Sequence, residues 1–266
     1  MKTLTNRVAV ITGAGGGVGR ALACKLASEG CALALLDINE EALQGTVTAL
    51  PSGARASTHV VDITSADQVS AARDAVVAEH GGVHIVINNA GITIQKTFAT
   101  HSQPDWQRMI NINLWGVING CQAFLNDLKA TDEAHIVNLS SMSAFVGLPT
   151  QSSYCATKSA VQGLSESLWA ELRADNIGVT SVHPGAIKTE MIQATLKDSE
   201  DIEAAQRNYE MAQKMGVTPE HVAERITTAI KKNQMRIRIG KETLLLDYLK
   251  RLFPVSMHKL VAKAAL

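Results

Sequence analysis

A tyrosine and a lysine four positions apart are the residues of this sequence best suited to acid–base chemistry. Tyr154 and Lys158 lie in a stretch of helical character, so the spacing puts both side chains on one face. A free phenol titrates near ~10, and a neighbouring ammonium lowers that pKa by stabilising the phenolate. Tyr154 could then take a proton from an alcohol and return one to a ketone. The pair alone leaves open a packed aromatic ring beside a solvated ammonium.

Serine hydroxyls at the end of a strand-like run offer a partner for the oxygen of such a substrate. Ser141 follows the run His135 to Leu139. Open α/β sheets bind ligands at the carboxyl ends of their strands, where a hydroxyl can hold the reacting oxygen in line for hydride transfer. Ser140 and Ser143 suit this role equally well on chemistry alone.

A glycine-rich turn near the N-terminus has the form of a dinucleotide phosphate site. Gly13, Gly17 and Gly19 follow the strand-like run Val8 to Thr12 and open a helix-like stretch. Glycines permit positive φ and a close approach of the backbone to a pyrophosphate, and a helix N-terminus offers unpaired N–H groups. A tight turn without a ligand is the less favoured interpretation, because Asp37 ends the next strand-like run at the expected place.

The position of Asp37 predicts the type of dinucleotide. Its carboxylate would accept a hydrogen bond from a ribose hydroxyl and would repel a 2′-phosphate. Neither Gly16 nor Ile38 supplies a cation for such a phosphate, so the sequence predicts NAD rather than NADP. Arg20 is the nearest competing cation, and a solvated helix residue is an equally good interpretation of it.

Two further segments suit contacts with the adenosine half of a dinucleotide. Asp62 could accept a hydrogen bond from the adenine amino group, or it could equally cap the next helix. The small and amide residues from Asn88 to Gly91 suit a backbone that passes close to a ribose. A simple turn would use the same residue types, so this segment alone leaves both interpretations open.

These side chains can meet only in a fold that places the carboxyl ends of several strands at one edge of a sheet. The sequence pattern predicts such a fold. Short β-branched or Leu-rich runs alternate with Ala-rich helical stretches, which predicts a doubly wound Rossmann-type parallel sheet, an α/β fold with helices on both faces. The predicted strands are Val8 to Thr12, Ala32 to Asp37, Ser57 to Val61, Ile85 to Asn88, His135 to Leu139 and Val179 to His183. The predicted helices are Gly17 to Ser28, Glu40 to Ala49, Ala66 to Glu79, Pro104 to Asn126, Ser153 to Ala174 and Pro219 to Lys231.

No linker divides this pattern, so we expect a single domain over residues 1–240. Residues 190–216 form a polar, Met-containing interruption that could cover a substrate or pack as two short helices. The apolar side chains expected near the substrate are Met142, Phe145, Val146, Leu148, Met191, Ile192, Leu196, Met211 and Met215. Met side chains adapt to varied shapes, so a fairly apolar ketone or alcohol is predicted. Trp115 is expected to pack in its helix.

A C-terminal tail over residues 241–266 combines leucines with lysines and arginines and is interrupted at Pro254. Such an amphipathic, basic segment can pack on its own domain or on a neighbouring subunit, which is the favoured interpretation. Peripheral membrane contact is the second interpretation.

The overall composition narrows the partners and the compartment. The chain of 266 residues has 25 basic and 25 acidic residues, so no nucleic-acid partner is expected. Its four cysteines are scattered, without metal-ligand spacing, which predicts reduced thiols and no metal site. The N-terminal segment is unlike a signal peptide and no apolar stretch is long enough to span a bilayer, so a cytoplasmic enzyme is expected.

Several motifs in a fixed order resemble the short-chain dehydrogenase/reductase family. They are Thr12-Gly13-x-x-x-Gly17-x-Gly19, Asn88-Asn89-Ala90-Gly91, Asn113, Ser141, Tyr154-x-x-x-Lys158 and Pro184-Gly185. The resemblance covers the chain up to about Gly240. It implies an NAD(H)-dependent oxidoreductase that interconverts a secondary alcohol and a ketone. The alternatives are an NADP(H)-dependent 3-oxoacyl thioester reductase and a non-catalytic protein that senses dinucleotides.

The resemblance also implies a role for each site residue. Tyr154 is the acid and base, Ser141 is the partner of the substrate oxygen, and Lys158 tunes Tyr154 and binds the nicotinamide ribose. Asn113, chosen by the pattern over Asn111, holds a water that links Lys158 to solvent. The expected dinucleotide contacts are Gly13, Gly17, Val18, Gly19, Asp37, Asp62, Ile63, Asn89, Ala90, Gly91, Tyr154, Lys158, Pro184, Gly185, Ile187 and Thr189. A homodimer or homotetramer through the helices around Asn113 and Tyr154 is expected.

Overall fold

A computed structural model describes residues 1–189, 191 and 199–264 of the chain. Within them, a seven-stranded sheet has the order β3-β2-β1-β4-β5-β6-β7, and every neighbouring pair is parallel. The strands are β1 (Val8–Thr12), β2 (Ala32–Asp37), β3 (Ala56–Val60), β4 (Ile85–Asn88), β5 (Ala134–Leu139), β6 (Ile177–Pro184) and β7 (Arg236–Ile239). The strand order reverses between β1 and β4, which opens a crevice at the carboxyl ends of these strands.

Helices cover both faces of the sheet. They are α1 (Gly17–Ser28), α2 (Glu40–Ala49), α3 (Ala66–His80), α4 (Gln103–Ile110), α5 (Gly116–Lys129), α6 (Ser152–Glu171), α7 (Ile202–Met215), α8 (Pro219–Lys231), α9 (Lys241–Leu252) and α10 (Ser256–Ala264). A π-helical turn (Asn111–Trp115) joins α4 to α5, and 3₁₀ turns span Met142–Ala144 and Leu172–Asp175. This arrangement confirms the predicted doubly wound α/β class.

Two hydrophobic cores lie on opposite faces of the sheet. Helices α1 and α8 contribute to one core, while α3, α5 and α6 contribute to the other. Successive side chains of β1 point to opposite faces of the sheet, so this strand contributes to both cores. Ala9 and Ile11 belong to the first core and Val10 belongs to the second. Burial on both faces explains why the central strands have nearly continuous apolar sequences.

Several features of the chain differ from the predicted elements. Strand β7 was not predicted, because its two arginines alternate with two isoleucines and only the isoleucines are buried. The helix predicted from Pro104 to Asn126 is present, but a π-helical turn divides it into α4 and α5. In that turn Asn113 pairs with the backbone of Ile92, and helical periodicity does not reveal such a distant contact. Strands β3 and β5 also begin one residue earlier than predicted, and β6 begins two residues earlier.

The tail residues form two helices, α9 and α10, on either side of Pro254. Helix α9 turns Thr243 and Asp247 inward, and the Asp247 carboxylate accepts hydrogen bonds from Arg238 and Arg251. Its opposite side leaves Leu252 70% exposed. Among the described residues, no helix combines the length and the apolar character needed to cross a membrane.

Candidate functional site

The turn after β1 is built around glycines that no other residue could replace without strain. Gly13 has φ +64°, and a Cβ there would lie 2.8 Å from the Ala90 Cα atom. The Asn89 side-chain amide donates to the carbonyls of Thr12 and Gly13 at 3.0 and 3.1 Å, which ties the two loops together. Gly17 also has a positive φ. By contrast, a Cβ at Gly16 would meet no atom within 4 Å, so the backbone there faces open space, as a pyrophosphate requires.

Substitution of Gly19 by alanine is expected to destabilise the protein. A Cβ at this position would lie 2.0 Å from the Gly13 carbonyl oxygen, so α1 would have to move away from its own loop. We expect Gly19→Ala to lower the free energy of unfolding by roughly 2–3 kcal/mol, measured by urea denaturation. Gly16→Ala is the matched control, because its backbone is extended and its Cβ has space. Equal stability of the two variants would contradict this account.

Asp37 ends β2 next to the glycine turn. Its Oδ2 atom accepts the Gly15 N–H at 2.8 Å and its Oδ1 atom accepts the Asn39 N–H at 3.0 Å. Arg20 is not a solvated residue, because its guanidinium donates to the Gly15 carbonyl at 2.6 Å and to Thr46 Oγ1 at 3.1 Å. These bonds hold the guanidinium between α1 and α2, and Arg20 does not line the cavity that Asp37 borders.

Asp62 closes a short turn after β3. Its Oδ1 atom accepts hydrogen bonds from the backbone N–H and the hydroxyl of Thr64, at 2.9 and 2.8 Å. The helix-cap interpretation of Asp62 is wrong, since Ser65 caps α3 by accepting the Gln68 N–H. Asp62 instead lies at the wall of the cavity described below.

Tyr154 and Lys158 project from α6 toward the end of β5. The Lys158 Nζ atom lies 5.7 Å from the centre of the Tyr154 ring and donates to the Leu139 carbonyl at 2.8 Å. Lys158 is only 4% exposed, so the solvated-ammonium alternative is wrong, and burial lowers its pKa to about 8. Burial also raises the pKa of the Tyr154 phenol, and a hydrogen bond with Ser141 partly offsets that rise. In the ligand-free protein, burial thus favours the neutral form of both groups.

Asn113 lies behind Lys158 and is fully buried. Its side-chain oxygen accepts the Ile92 N–H and its amide donates to the Ile92 carbonyl, both at 2.9 Å. A Cβ at Gly91 would lie 3.1 Å from Asn113 Oδ1 and 3.3 Å from Lys158 Nζ. Glycine at this position therefore leaves room for both side chains to converge on one point of the backbone.

A cavity of about 750 Å³ connects the glycine turn with Tyr154. The predicted site residues that line it are Gly13, Gly17, Val18, Asp37, Asp62, Ile63, Asn89, Ala90, Gly91, Ser141, Tyr154, Lys158, Pro184, Gly185, Ile187 and Thr189. Gly19 and Asn113 do not line it and support it from behind. The structure thus brings together, at the carboxyl ends of the strands, residues that are widely separated in the sequence.

The expected substrate surroundings are only partly apolar. Met142, Leu148, Met191 and Met211 line the cavity as anticipated. Phe145 and Val146 are buried and do not line it, and Met215 and Trp115 are 79% and 50% exposed outside it. Ile192 and Leu196 lie outside the described residues.

Polar residues that the sequence did not single out share this part of the wall. They are Thr93, Gln95, Arg108, Gln151 and Asn208. The Asn208 side-chain amide, on α7, donates to the Gln95 side-chain oxygen at 3.1 Å. Gln95 lies shortly after the Asn-Asn-Ala-Gly motif, and this position in the sequence could have identified it as a residue of the site. Asn208 carried no such signal, since only the packing of α7 brings it here.

The doubly wound fold and the convergence of Tyr154, Lys158 and Ser141 on one cavity define a dinucleotide-binding oxidoreductase. The chain belongs to the short-chain dehydrogenase/reductase family, since the family model described as short chain dehydrogenase matches residues 7–200. Members of this family typically use a nicotinamide dinucleotide as cofactor.

Individual relatives support the same assignment. SadH of Mycobacterium tuberculosis, which carries a provisional oxidoreductase name, is 39% identical over 98% of this chain and 96% of its own length. A short-chain dehydrogenase/reductase from Burkholderia phymatum, solved in complex with NAD, is 31% identical over 95% of each chain, with a TM-score of 0.88. NAD⁺-bound xylitol dehydrogenase is 26% identical over 90% of this chain and 99% of its own, with a TM-score of 0.79.

Proposed function

We propose that this protein is an NAD(H)-dependent oxidoreductase that interconverts a secondary alcohol and a ketone. The observation that carries the proposal is the single cavity that joins the glycine turn and Asp37 to Ser141, Tyr154 and Lys158. A protein that only senses dinucleotides would not need an acid–base pair and a hydroxyl at the far end of the cofactor's cavity.

Each residue has a defined task in this proposal. Tyr154 takes the alcohol proton during oxidation and returns one during reduction. Ser141, which is hydrogen-bonded to Tyr154, orients the substrate oxygen. Lys158 stabilises the Tyr154 phenolate and binds the nicotinamide ribose, and Asn113 holds the water that connects Lys158 to solvent. The bound dinucleotide would supply the hydride acceptor for the alcohol or the hydride donor for the ketone.

The surroundings of Asp37 support NAD as the cofactor. Its carboxylate borders the cavity, where it would attract a ribose hydroxyl and repel a 2′-phosphate. Ile38, the next residue, also borders the cavity and has no charge, while Arg20 is held between α1 and α2. The relatives from Burkholderia phymatum and the xylitol dehydrogenase, both solved with NAD, agree with this preference.

Replacement of Asp37 by asparagine is expected to weaken the preference for NAD. Asparagine keeps an oxygen for the Gly15 N–H but removes the charge that repels a 2′-phosphate. We expect the ratio of kcat/KM with NAD to kcat/KM with NADP to fall roughly 10- to 100-fold. Glu41→Ala is the matched control, because it removes an exposed negative charge nearby on α2. An unchanged ratio in Asp37→Asn would contradict the assigned role of this carboxylate.

A second candidate is an NADP(H)-dependent reductase of 3-oxoacyl thioesters. The observation that favours it is the similarity to the 3-oxoacyl-[acyl-carrier-protein] reductase FabG of Chlamydia muridarum, which is 34% identical over 71% of this chain and 77% of its own. Such a reductase would lose little of its NADPH-dependent activity in Asp37→Asn. The cofactor ratio of the wild-type protein is therefore the first discriminator.

The substrate is proposed to be a mainly apolar ketone or alcohol with one polar group. Four methionine and leucine side chains line the substrate end of the cavity, and the Gln95–Asn208 pair adds amide groups there. Absorbance-followed turnover across steroids, aliphatic alcohols, sugars and hydroxyacyl thioesters tests this, with the matching ketones in the reverse direction. Preference for a polyol over every apolar member of the panel would contradict the proposal.

We also propose a homodimer or homotetramer that forms through the helices around Asn113 and Tyr154. The outward side of α6 is exposed in the single chain and consists of small residues, among them Ala156, Ala160 and Gly163. Small residues allow close approach of a second helix. Light scattering coupled to size-exclusion chromatography measures the assembly directly, and a monomeric mass would contradict it.

A further inference from the structure

A buried histidine that the proposed mechanism does not use lies against the loop that carries Ser141. His183, near the end of β6, is 0% exposed. Its Nδ1 atom lies 3.0 Å from the Ser141 carbonyl oxygen and its Nε2 atom lies 2.9 Å from Ser181 Oγ. The ring of Phe145, from the same loop as Ser141, stacks on it with 4.5 Å between ring centres. His183 thus contacts both ends of this loop.

The chemistry of the neighbours determines which nitrogen carries the proton. A carbonyl oxygen only accepts hydrogen bonds, so Nδ1 must be the donor to Ser141. Burial lowers the pKa of His183 to about 4, so the ring is neutral at physiological pH. A neutral ring with its proton on Nδ1 has a lone pair on Nε2, and the Ser181 hydroxyl donates to it.

The hydrogen bond from His183 is what connects the Ser141 carbonyl to the sheet, because the other contacts of this loop involve other groups. The preceding residue, Ser140, donates its N–H to the Val182 carbonyl and its hydroxyl to the Lys158 carbonyl. The Ser141 carbonyl also accepts the Ala144 N–H, which is a contact within the loop itself. Among the described residues, the His183 ring is the group on β6 that bonds this carbonyl.

We propose that His183 is a positioning residue that sets the direction of the Ser141 hydroxyl by holding the Ser141 carbonyl. This inference rests on the proposed function, in which that hydroxyl orients the substrate oxygen. A displacement of about 1 Å at a reacting group can cost up to roughly 100-fold in rate. The Nδ1 bond, rather than the bulk of the ring, is the feature that matters.

Two isosteric amides separate the two ends of the ring. In His183→Asn the amide nitrogen can take the place of Nδ1, so the bond to Ser141 is retained. In His183→Gln the amide reaches the place of Nε2, so the bond to Ser181 is retained and the bond to Ser141 is lost. We expect His183→Gln to lower kcat about 10- to 100-fold with an unchanged dissociation constant for NAD, and His183→Asn to stay within about threefold of wild type. Equal kcat values for the two variants would overturn the proposal.

A double-mutant cycle tests whether His183 acts through Ser141. Ser141→Ala removes the hydroxyl that is to be positioned, so His183→Gln should have almost no further effect on kcat in that background. The same fold loss in both backgrounds would show that His183 does not act through Ser141, and the proposal would be wrong.

A spectroscopic measurement reads the positioning without any turnover. The Ser143 N–H donates to the Ser141 hydroxyl oxygen at 3.1 Å, so its amide resonance reports where that hydroxyl lies. We expect this resonance to move in His183→Gln and to stay near its wild-type position in His183→Asn. The reverse pattern would overturn the inference. A wild-type protein without turnover on any substrate would defeat the proposed function, and this resonance would still decide the role of His183.

Discussion

Replacement of Tyr154 by phenylalanine is expected to lower turnover by about 10³-fold or more. The affinity for NAD should change far less, because only one of the proposed dinucleotide contacts is altered. The substitution removes one hydroxyl group and keeps the ring, so the buried packing of α6 is preserved. Without the phenol, the proposed mechanism has no acceptor for the alcohol proton beside Ser141, since the Lys158 ammonium can only donate. The measurement is steady-state NADH formation, with NAD binding followed by protein fluorescence.

A second tyrosine provides the matched control for this variant. Tyr248 on α9 is 55% exposed and lies under the guanidinium of Arg238, far along the chain from the cavity residues. Tyr248→Phe should therefore keep the wild-type rate. If Tyr154→Phe kept a rate within about threefold of wild type, Tyr154 would not be the acid–base group. That result would favour a non-catalytic protein that senses dinucleotides.

Replacement of Lys158 by methionine should reduce turnover by about 100-fold or more, because Tyr154 loses the ammonium that favours its phenolate. The same substitution is expected to stabilise the folded protein at neutral pH. Lys158 is buried and its pKa falls from 10.5 to about 8, which means that the folded state charges this group at a cost. Removal of that cost, less the lost hydrogen bond to Leu139, should raise the free energy of unfolding by roughly 1–3 kcal/mol.

The pH dependence of this stability difference has a definite sign. Between pH 8 and pH 10.5 the unfolded chain binds a proton at Lys158 that the folded chain does not, so the wild-type protein gains stability as pH rises through this window. The advantage of Lys158→Met should be largest below pH 8 and should shrink toward pH 10.5. Urea denaturation at several pH values measures it, with Lys232→Met as an exposed control. A difference that grows with pH would contradict the buried, costly ammonium.

These two variants separate catalysis from stability at one site. Tyr154→Phe removes the proposed proton acceptor, and Lys158→Met removes a buried charge that lowers the stability of the fold. A protein selected for stability alone would replace Lys158 with an apolar residue. A buried lysine beside Tyr154 is therefore consistent with the proposed oxidoreductase mechanism.

Much of the fold and of the candidate site follows from local patterns in the sequence. The alternation of apolar runs and helical stretches predicted the doubly wound sheet, because residues that share one face repeat with a fixed period. The glycines after β1 also marked a turn, since glycine accepts a positive φ without strain, and Gly13 and Gly17 adopt one here. The helical spacing of Tyr154 and Lys158 placed both on one face of α6 before any tertiary contact was known.

Local sequence patterns did not predict the features that depend on contacts between distant segments. The edge strand β7 has two charged residues, and it pairs with β6 because α8 returns the chain to that edge. The sequence predicted Arg20 as a solvated or phosphate-binding cation, but the glycine turn and α2 supply acceptors for its guanidinium. Asp62 suited a helix cap, but Ser65 lies closer to the start of α3 and takes that role.

The surroundings of Ser141 show most clearly which features the sequence predicts and which only the tertiary structure determines. The motif identified this serine and its strand, but the parallel register of β5 and β6 is what brings His183 to its carbonyl. The depth of burial of Lys158, and hence its lowered pKa, likewise depends on β5, α6 and the Asn113 turn closing around it. Residue type and spacing are local properties that a sequence states directly. Burial, hydrogen-bond partners and pKa values arise only when segments far apart in the chain pack together, because they depend on what excludes water from each group.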